Sequence, residues 1–381
     1  MKKSLIALAA LGAIASSAMA QSSVTLYGIV DLGLVKQSNA DANLALGGVG
    51  VGNKELNVAQ ATKSRIGFRG VEDLGGGLSV KFDLEHRFLP DTGAVNTTSN
   101  NQFWDKSIVG ITSQTFGEVT LGRDYMPLFY SQYLLDPWLN QGIAELGASS
   151  YAWAGYARFG GGALGLAQDT RSVRYNNGIF YKAQAAGFTA ILGASLNETD
   201  VDGTSNRYGI NVMYNAGPLF VTAAYDQDKA QSTLTGLPGP LAGLNGYPNA
   251  IADEDVWLIG VAYDFGFIKP RLSYTEATLQ QVAGAPGPSG LPLKEINPTA
   301  WTLAATVPTS SGLVKMGYQS MDYDFSDIKT TKFSLGYEHT LSKRTALYAD
   351  LTSGKFKSDK TKTGKDNYTA NGVDLGIRHA F

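Results

Sequence analysis

Cysteine is absent from the 381 residues, which excludes a disulfide scaffold and a thiolate metal centre. Histidine occurs three times, as His86, His339 and His379. No Gly-x-Ser-x-Gly stretch places a serine nucleophile with any of them, so nothing points to a hydrolase, a catalytic residue or a transition-metal site. Gly160, Gly161 and Gly162 do not open a helix after a strand and therefore form no phosphate loop. Beyond the first twenty residues no run of 18 apolar residues exists, so no helix is expected to cross a bilayer. Charge of one sign is also lacking: the formal net charge is -2, which gives nucleic acid no basic footprint.

What is present is 44% apolar residues, 10% aromatic residues and 45 glycines, which fits neither a disordered chain nor a small stapled one. Residues 1–20 have the three parts of a secretory signal: Lys2 and Lys3, an apolar run over residues 5–14, and Ala18-Met19-Ala20. That run is too short for a membrane-spanning helix. A mature domain covering residues 21–381 is expected.

From Ser22 onward the chain divides into sixteen segments that alternate apolar with polar or small residues, the period of a two-faced strand. They begin near Val24, Ser64, Leu78, Lys106, Gly117, Ser172, Phe188, Tyr208, Leu219, Asp255, Ile268, Ala300, Gly312, Asp327, Thr345 and Asn371. Short turns rich in Gly, Pro and Ser, such as residues 73–77, 113–116 and 216–218, alternate with longer connections. Short turns at one rim and long loops at the other, with an even strand count, describe a transmembrane antiparallel β-barrel. A soluble β-sandwich would not produce that asymmetry. Only closed barrels cross a membrane without helices, because every backbone polar group must be paired in lipid.

The two faces carry different chemistry. Leu78, Val80, Phe82 and Leu84 oppose Lys81, Asp83, Glu85 and Arg87, and so many charges must face water. Trp257, Tyr263, Trp301, Phe333, Tyr337 and Phe381 recur near segment ends and suit interfacial girdles. By the same parity the inward basic residues are Arg65, Arg69, Lys81, Arg87, Arg174, Lys182, Arg271, Lys315 and Lys332. The inward acidic ones are Asp31, Asp83, Glu85, Glu338 and Asp350, nine against five. In a narrow passage that excess favours anions.

One connection, residues 124–171, is too long and too apolar for a solvated loop: it begins Tyr125-Met126-Pro127-Leu128-Phe129-Tyr130. It is expected to fold into the barrel, with Met126 to Trp138 against the inner wall and a short helix over residues 128–135. Asp136, Glu145 and, at its root, Asp124 then offer acids opposite the basic wall, a transverse field for dipolar solutes. Asp136 also reads as a turn residue, because it precedes Pro137.

Val24-Thr25-Leu26-Tyr27-Gly28, Ser64-Arg65-Ile66-Gly67-Phe68-Arg69-Gly70, Gly117-Glu118-Val119-Thr120-Leu121-Gly122-Arg123, Arg174-Tyr175-Asn176-Asn177 and the terminal Phe381 together resemble the trimeric general porins of Gram-negative outer membranes, β-proteobacterial type. The resemblance covers essentially the whole chain. It implies a 16-stranded barrel, a homotrimer, an inward third extracellular loop as constriction, and Phe381 as an assembly signal. Its surroundings would be outer-membrane lipid and lipopolysaccharide, and its cargo small hydrophilic solutes and ions. The family's basic constriction cluster carries over to Arg65 and Arg174. Its third member, early in the fourth strand, is replaced here by Asp105 and Lys106. Arg87 and Arg123 are the candidate substitutes, Arg123 against its parity with Val119 and Leu121, and Arg69 is a further basic residue expected at the constriction. No cofactor is implied; calcium on Asp253-Glu254-Asp255 is chemically open but unspecific. A binding channel or an adhesin displaying its loops is the competing function.

Overall fold

The computed structural model describes residues 23–38, 56–95, 103–146, 173–197, 206–232, 251–280, 297, 299–323, 328–357 and 368–381. The expected signal segment, residues 147–172 of the long connection, and the side chains of Asp253 and Glu254 lie outside that set.

The strands are β1 (Ser23–Gln37), a short β2 (Asn57–Ala59), β3 (Arg65–Gly75), β4 (Leu78–Leu89), a short β5 (Ala94–Val95), β6 (Lys106–Ser113), β7 (Gly117–Tyr125), β8 (Arg174–Ala185) and β9 (Phe188–Ser195). They continue as β10 (Arg207–Ala216), β11 (Leu219–Ser232), β12 (Ile251–Tyr263), β13 (Lys269–Gln280), β14 (Thr299–Thr309), β15 (Gly312–Tyr323), β16 (Ile328–Thr340), β17 (Thr345–Lys357) and β18 (Tyr368–Ala380). Apart from the small pieces β2 and β5, these strands form a closed 16-stranded antiparallel barrel. Closure is made by β1, whose first half pairs with β3 up to Ile29↔Arg65 and whose second half pairs with β18 from Ile29↔Ala380 onward. The long strands start close to the positions that alternation indicates; β12 is the most displaced, beginning at Ile251.

Parity sorts the two faces as a barrel in lipid requires. Outward residues such as Ile111 and Leu303 leave 53% and 58% of their surface uncovered, which is favourable only in hydrocarbon. Trp257, Tyr274 and Trp301 form a ring-to-ring row at the loop end, with centroids 5.2 and 4.5 Å apart. Tyr263 and Phe265, 4.6 Å apart, mark the turn end. Six residues of strand separate Trp257 from Tyr263, roughly 20 Å at about 3.4 Å per residue, which fits an apolar band between two girdles.

The buried core lies between the inner wall and the segment after β7. Helix α1 (Pro127–Leu135) has Pro127 in its first turn, where the missing N–H is harmless, and no β-branched residue. It stops at Asp136, held extended before Pro137. Met126, Leu128, Phe129 and Leu135 pack on Tyr175, Ile191, Met213, Phe220 and Leu258. Those wall residues share the inward face with Thr222 and Asn211, which are bonded to the helix: Ser131 and Thr222 share a hydroxyl contact of 2.5 Å, and Asn211 donates to the Pro127 carbonyl at 2.7 Å. The apolar inward positions of β9 to β12 thus depart from a simple polar-inside rule because the helix covers them. A Cβ on Gly260 would collide with Leu135.

Candidate functional site: a basic wall facing the inner loop

Opposite the helix, the inward residues of β1, β3, β4 and β6 bound a cavity of about 460 Å³. Its lining includes Tyr27, Lys63, Arg65, Arg69, Asp83, Glu85, Arg87 and Lys106 on the wall side, and Tyr125, Phe129, Tyr130, Tyr133, Asn140 and Gln141 on the loop side. Alternation within each strand aims these wall side chains inward: β3 and β4 are in register at Arg65↔Arg87, Gly67↔Glu85 and Arg69↔Asp83.

The charges form a linked network. Arg65 is 3.5 Å from Glu85, and Arg87 is 3.2 Å from the same carboxylate. Asp105, standing where the resemblance implies a basic residue, bridges Arg87 at 3.3 Å and Arg174 at 3.4 Å. Lys106 reaches Asp83 at 3.1 Å and Asp124 at 3.4 Å. Tyr125 joins the cluster: its hydroxyl accepts from Arg174 Nη2 at 2.9 Å and also from Arg87 Nη2. The Arg174 guanidinium lies 4.2 Å above its ring, an attractive cation–π placement. Arg87 is only 4% exposed, so its planar group is fixed rather than sampling the lumen.

Arg123 keeps its sequence parity in the β6–β7 register, opposite Ser107, and is nonetheless buried. Between Gly122 and Asp124 the β7–β8 register shifts, and Gly122 has φ 121°, a region open to glycine. The bulge leaves Arg123 and Asp124 both buried, with Arg123 donating to Asn176. Arg69 stands apart from the network, 5.1 Å over the Tyr27 ring.

Of the three loop acids, Asp124 pairs with Lys106 of the wall, whereas Asp136 and Glu145 do not line the cavity, a departure from the expected transverse arrangement. Asp136 is 3% exposed, and its carboxylate accepts from the backbone N–H groups of Trp138 at 3.0 Å, Asn140 at 2.9 Å and Leu146 at 3.2 Å. The turn after α1 needs acceptors for those amides, and that demand captures the side chain. Glu145 is buried, and its backbone carbonyl accepts from Lys332. Burial pushes its carboxyl up to about 7, against the pull of Lys332 and Lys63. Trp138 Nε1 donates to Asp350 at 2.7 Å, and Gln319 donates to the Leu146 carbonyl at 2.6 Å, tying the same segment to β17 and β15. Sequence parity missed Tyr125 and Lys63; their signal would have been their places at the end of β7 and just before β3, where wall and loop meet.

His86 stacks on Phe103 with centroids 4.0 Å apart, and His379 contacts Thr345 Oγ1 at 2.9 Å. Among the described residues no group of three or more His, Cys, Asp and Glu side chains is placed to hold a metal.

Residues 7–359 match the Gram-negative porin family. This chain is a Gram-negative porin. It is 36% identical over 397 residues to outer membrane porin protein 32 of Delftia acidovorans, with all of both chains covered. To an outer membrane porin protein of Bordetella pertussis it is 28% identical, again over both full lengths. Among solved structures it is similar to an anion-selective porin from Comamonas acidovorans, with TM-score 0.72, 29% identity, 95% of this chain and 100% of that one covered. A loop-deletion form of OmpT from Vibrio cholerae shares the fold at 16% identity and TM-score 0.65, covering 94% and 99%. The porin is accordingly an outer-membrane channel protein and not an enzyme.

Proposed function

We propose that this porin is a homotrimeric diffusion channel for small hydrophilic solutes and ions, with mild anion preference. Its constriction lies between the basic wall and residues 125–146. The carrying observation is the lining of that cavity: Lys63, Arg65, Arg69, Arg87 and Lys106 against Asp83 and Glu85. An excess of fixed cations in a passage with low-dielectric walls raises the local anion concentration. The similar Comamonas protein is itself described as anion-selective. Arg65 and Arg69 are the cations assigned to the water. Arg87, Arg174 and Arg123 are assigned to holding the wall's shape as well as its charge, and Asp124 to pairing Lys106. Asp136 and Glu145 are given structural roles in the loop.

The test is the reversal potential of purified porin in a planar bilayer under a KCl gradient. Anion selectivity is expected, and clear cation selectivity would overturn the reading. Cross-linking in mild detergent tests the trimer. The mass of the exported chain tests cleavage after Ala20. Contacts with lipopolysaccharide belong to the same proposal and are read by co-purification.

A further inference from the structure

The loop side of the cavity carries rings where an opposing row of charge was expected. Tyr125 and Phe129 are stacked with centroids 4.0 Å apart and an interplanar angle of 3°. Tyr133 continues the row, 5.8 Å from Phe129, and Tyr130 meets Tyr125 edge-on at 6.1 Å. Arg174 closes the far face of Tyr125. Tyr133 and Tyr130 are half-buried rather than covered, so ring surface is left toward the cavity. Across from them stands Arg65, whose one ion pair among the described residues, to Glu85, is long at 3.5 Å. Lys63 lies beside it, with its backbone N–H given to Gln141 at 2.8 Å. The space, about 460 Å³, is within the range of pockets that hold a small organic ligand, roughly 300–1,000 Å³.

A plain diffusion channel gains nothing from aromatic surface along this cavity, because water wets rings poorly. Rings on one side and a guanidinium on the other suit a solute that is itself two-sided. We propose that this cavity is a transit subsite for small carboxylates bearing an aromatic ring. The ring lies against Tyr133 and the edge of Tyr130, and the carboxylate pairs with Arg65, assisted by Lys63. The guanidinium fork fits a carboxylate with two parallel hydrogen bonds, and ring-on-ring contact adds selectivity over aliphatic acids of the same charge. Asn140 and Gln141, at the same rim, supply amide donors for the second carboxylate oxygen. Arg87 and Arg174 are already engaged by Asp105 and Tyr125 and serve as positioning residues for that face.

This inference rests on the assignment of the cavity to the conducting path, and the experiment separates the two. Single-channel chloride current is recorded with benzoate, cyclohexanecarboxylate, acetate or benzyl alcohol added. Saturable block is expected for benzoate, weaker block for cyclohexanecarboxylate, and little for acetate or the uncharged alcohol. Tyr133→Ala should weaken benzoate block about fivefold relative to acetate block in the same variant, the size of a single ring contact. Tyr133→Phe should restore it. Arg65→Gln should abolish benzoate block. Equal block by benzoate and acetate, or benzoate block unmoved by Tyr133→Ala in a channel of normal conductance, overturns the subsite. Cation selectivity of the unmodified channel, or a current indifferent to Arg65→Gln, would instead overturn the assignment of the cavity to the path.

Discussion

Gly28 and Phe381 exchange both backbone hydrogen bonds, each 3.1 Å long, and the Phe381 ring occupies the space a Cβ on Gly28 would need. The last residue of the chain thus completes the seam between β1 and β18 where β1 changes partner. A hydrogen outside Gly28 is the largest group that leaves the terminal ring in place. Gly28→Val should therefore displace the ring and destabilise the closed barrel by about 1–3 kcal/mol, the usual range for overpacking. Heat-modifiable gel mobility reads it. Phe381→Ala should remove the ring's packing yet keep the backbone pair, and should lower the yield of assembled barrel more than its thermal stability once assembled.

Selectivity distinguishes the two kinds of charge. Arg65→Glu reverses a cation facing the cavity and should shift the reversal potential toward cations. Asp136→Asn should leave the sign of selectivity alone, since that carboxylate is turned into the loop. Its effect should be on the loop itself. Charge-assisted hydrogen bonds contribute about 1.5–3 kcal/mol each, so weakening three of them should appear as noisier, larger open-channel current. A large selectivity shift with Asp136→Asn would restore the transverse-field arrangement.

Trp138 and Asp350 form a strut from loop to wall. Trp138→Phe keeps most of the ring but leaves the buried Asp350 carboxylate short of a donor, a loss of about 1–3 kcal/mol. Adding Asp350→Ala to that variant should cost less than the sum of the two single changes, because the carboxylate no longer needs the indole. Thermal unfolding of all four proteins measures the coupling; simple additivity would mean the contact contributes nothing of its own.

Glu145 gives a pH dependence with a defined sign. Its carboxyl is raised from the ordinary 4.5 to about 7 by burial, so between those values the folded chain holds a proton the unfolded chain releases. Folded-state stability contributed by this group is therefore present at low pH and lost as pH rises through about 7. Asp136 adds to the rise, while Lys332 and Lys63 oppose it. Melting temperatures at pH 5 and pH 8 should differ less in Glu145→Gln than in the unmodified porin. An identical difference in the two proteins would place Glu145 in water.

The barrel was legible because strand period and turn length are local quantities: Leu78 to Arg87 states its two faces without reference to any other segment. Helix α1 was legible from Pro127 and Pro137, which bracket it. The burial of Arg123 was not, since its partner Asn176 lies in the stretch of β8 whose register against β7 is shifted, and no rule of alternation registers that shift. The apolar inner face at Met213 and Leu258 was equally hidden, because its partner lies about 80 to 130 residues away in sequence, and only the folded loop makes an apolar lumen residue favourable. The direction of Asp136 depended on which amides the turn left unpaired, and that is decided by packing.

With Asp136 and Glu145 buried, the proposed division of labour is that the third loop gives the passage shape and ring surface while the wall gives the charge. The two properties then reside in different stretches of the gene, residues 63–106 for one and residues 125–146 for the other. Descendants could exchange the rings for other side chains, and so admit different solutes, without resetting the field that governs ions. A bacterium facing a new carbon source would need to revise one loop rather than a barrel.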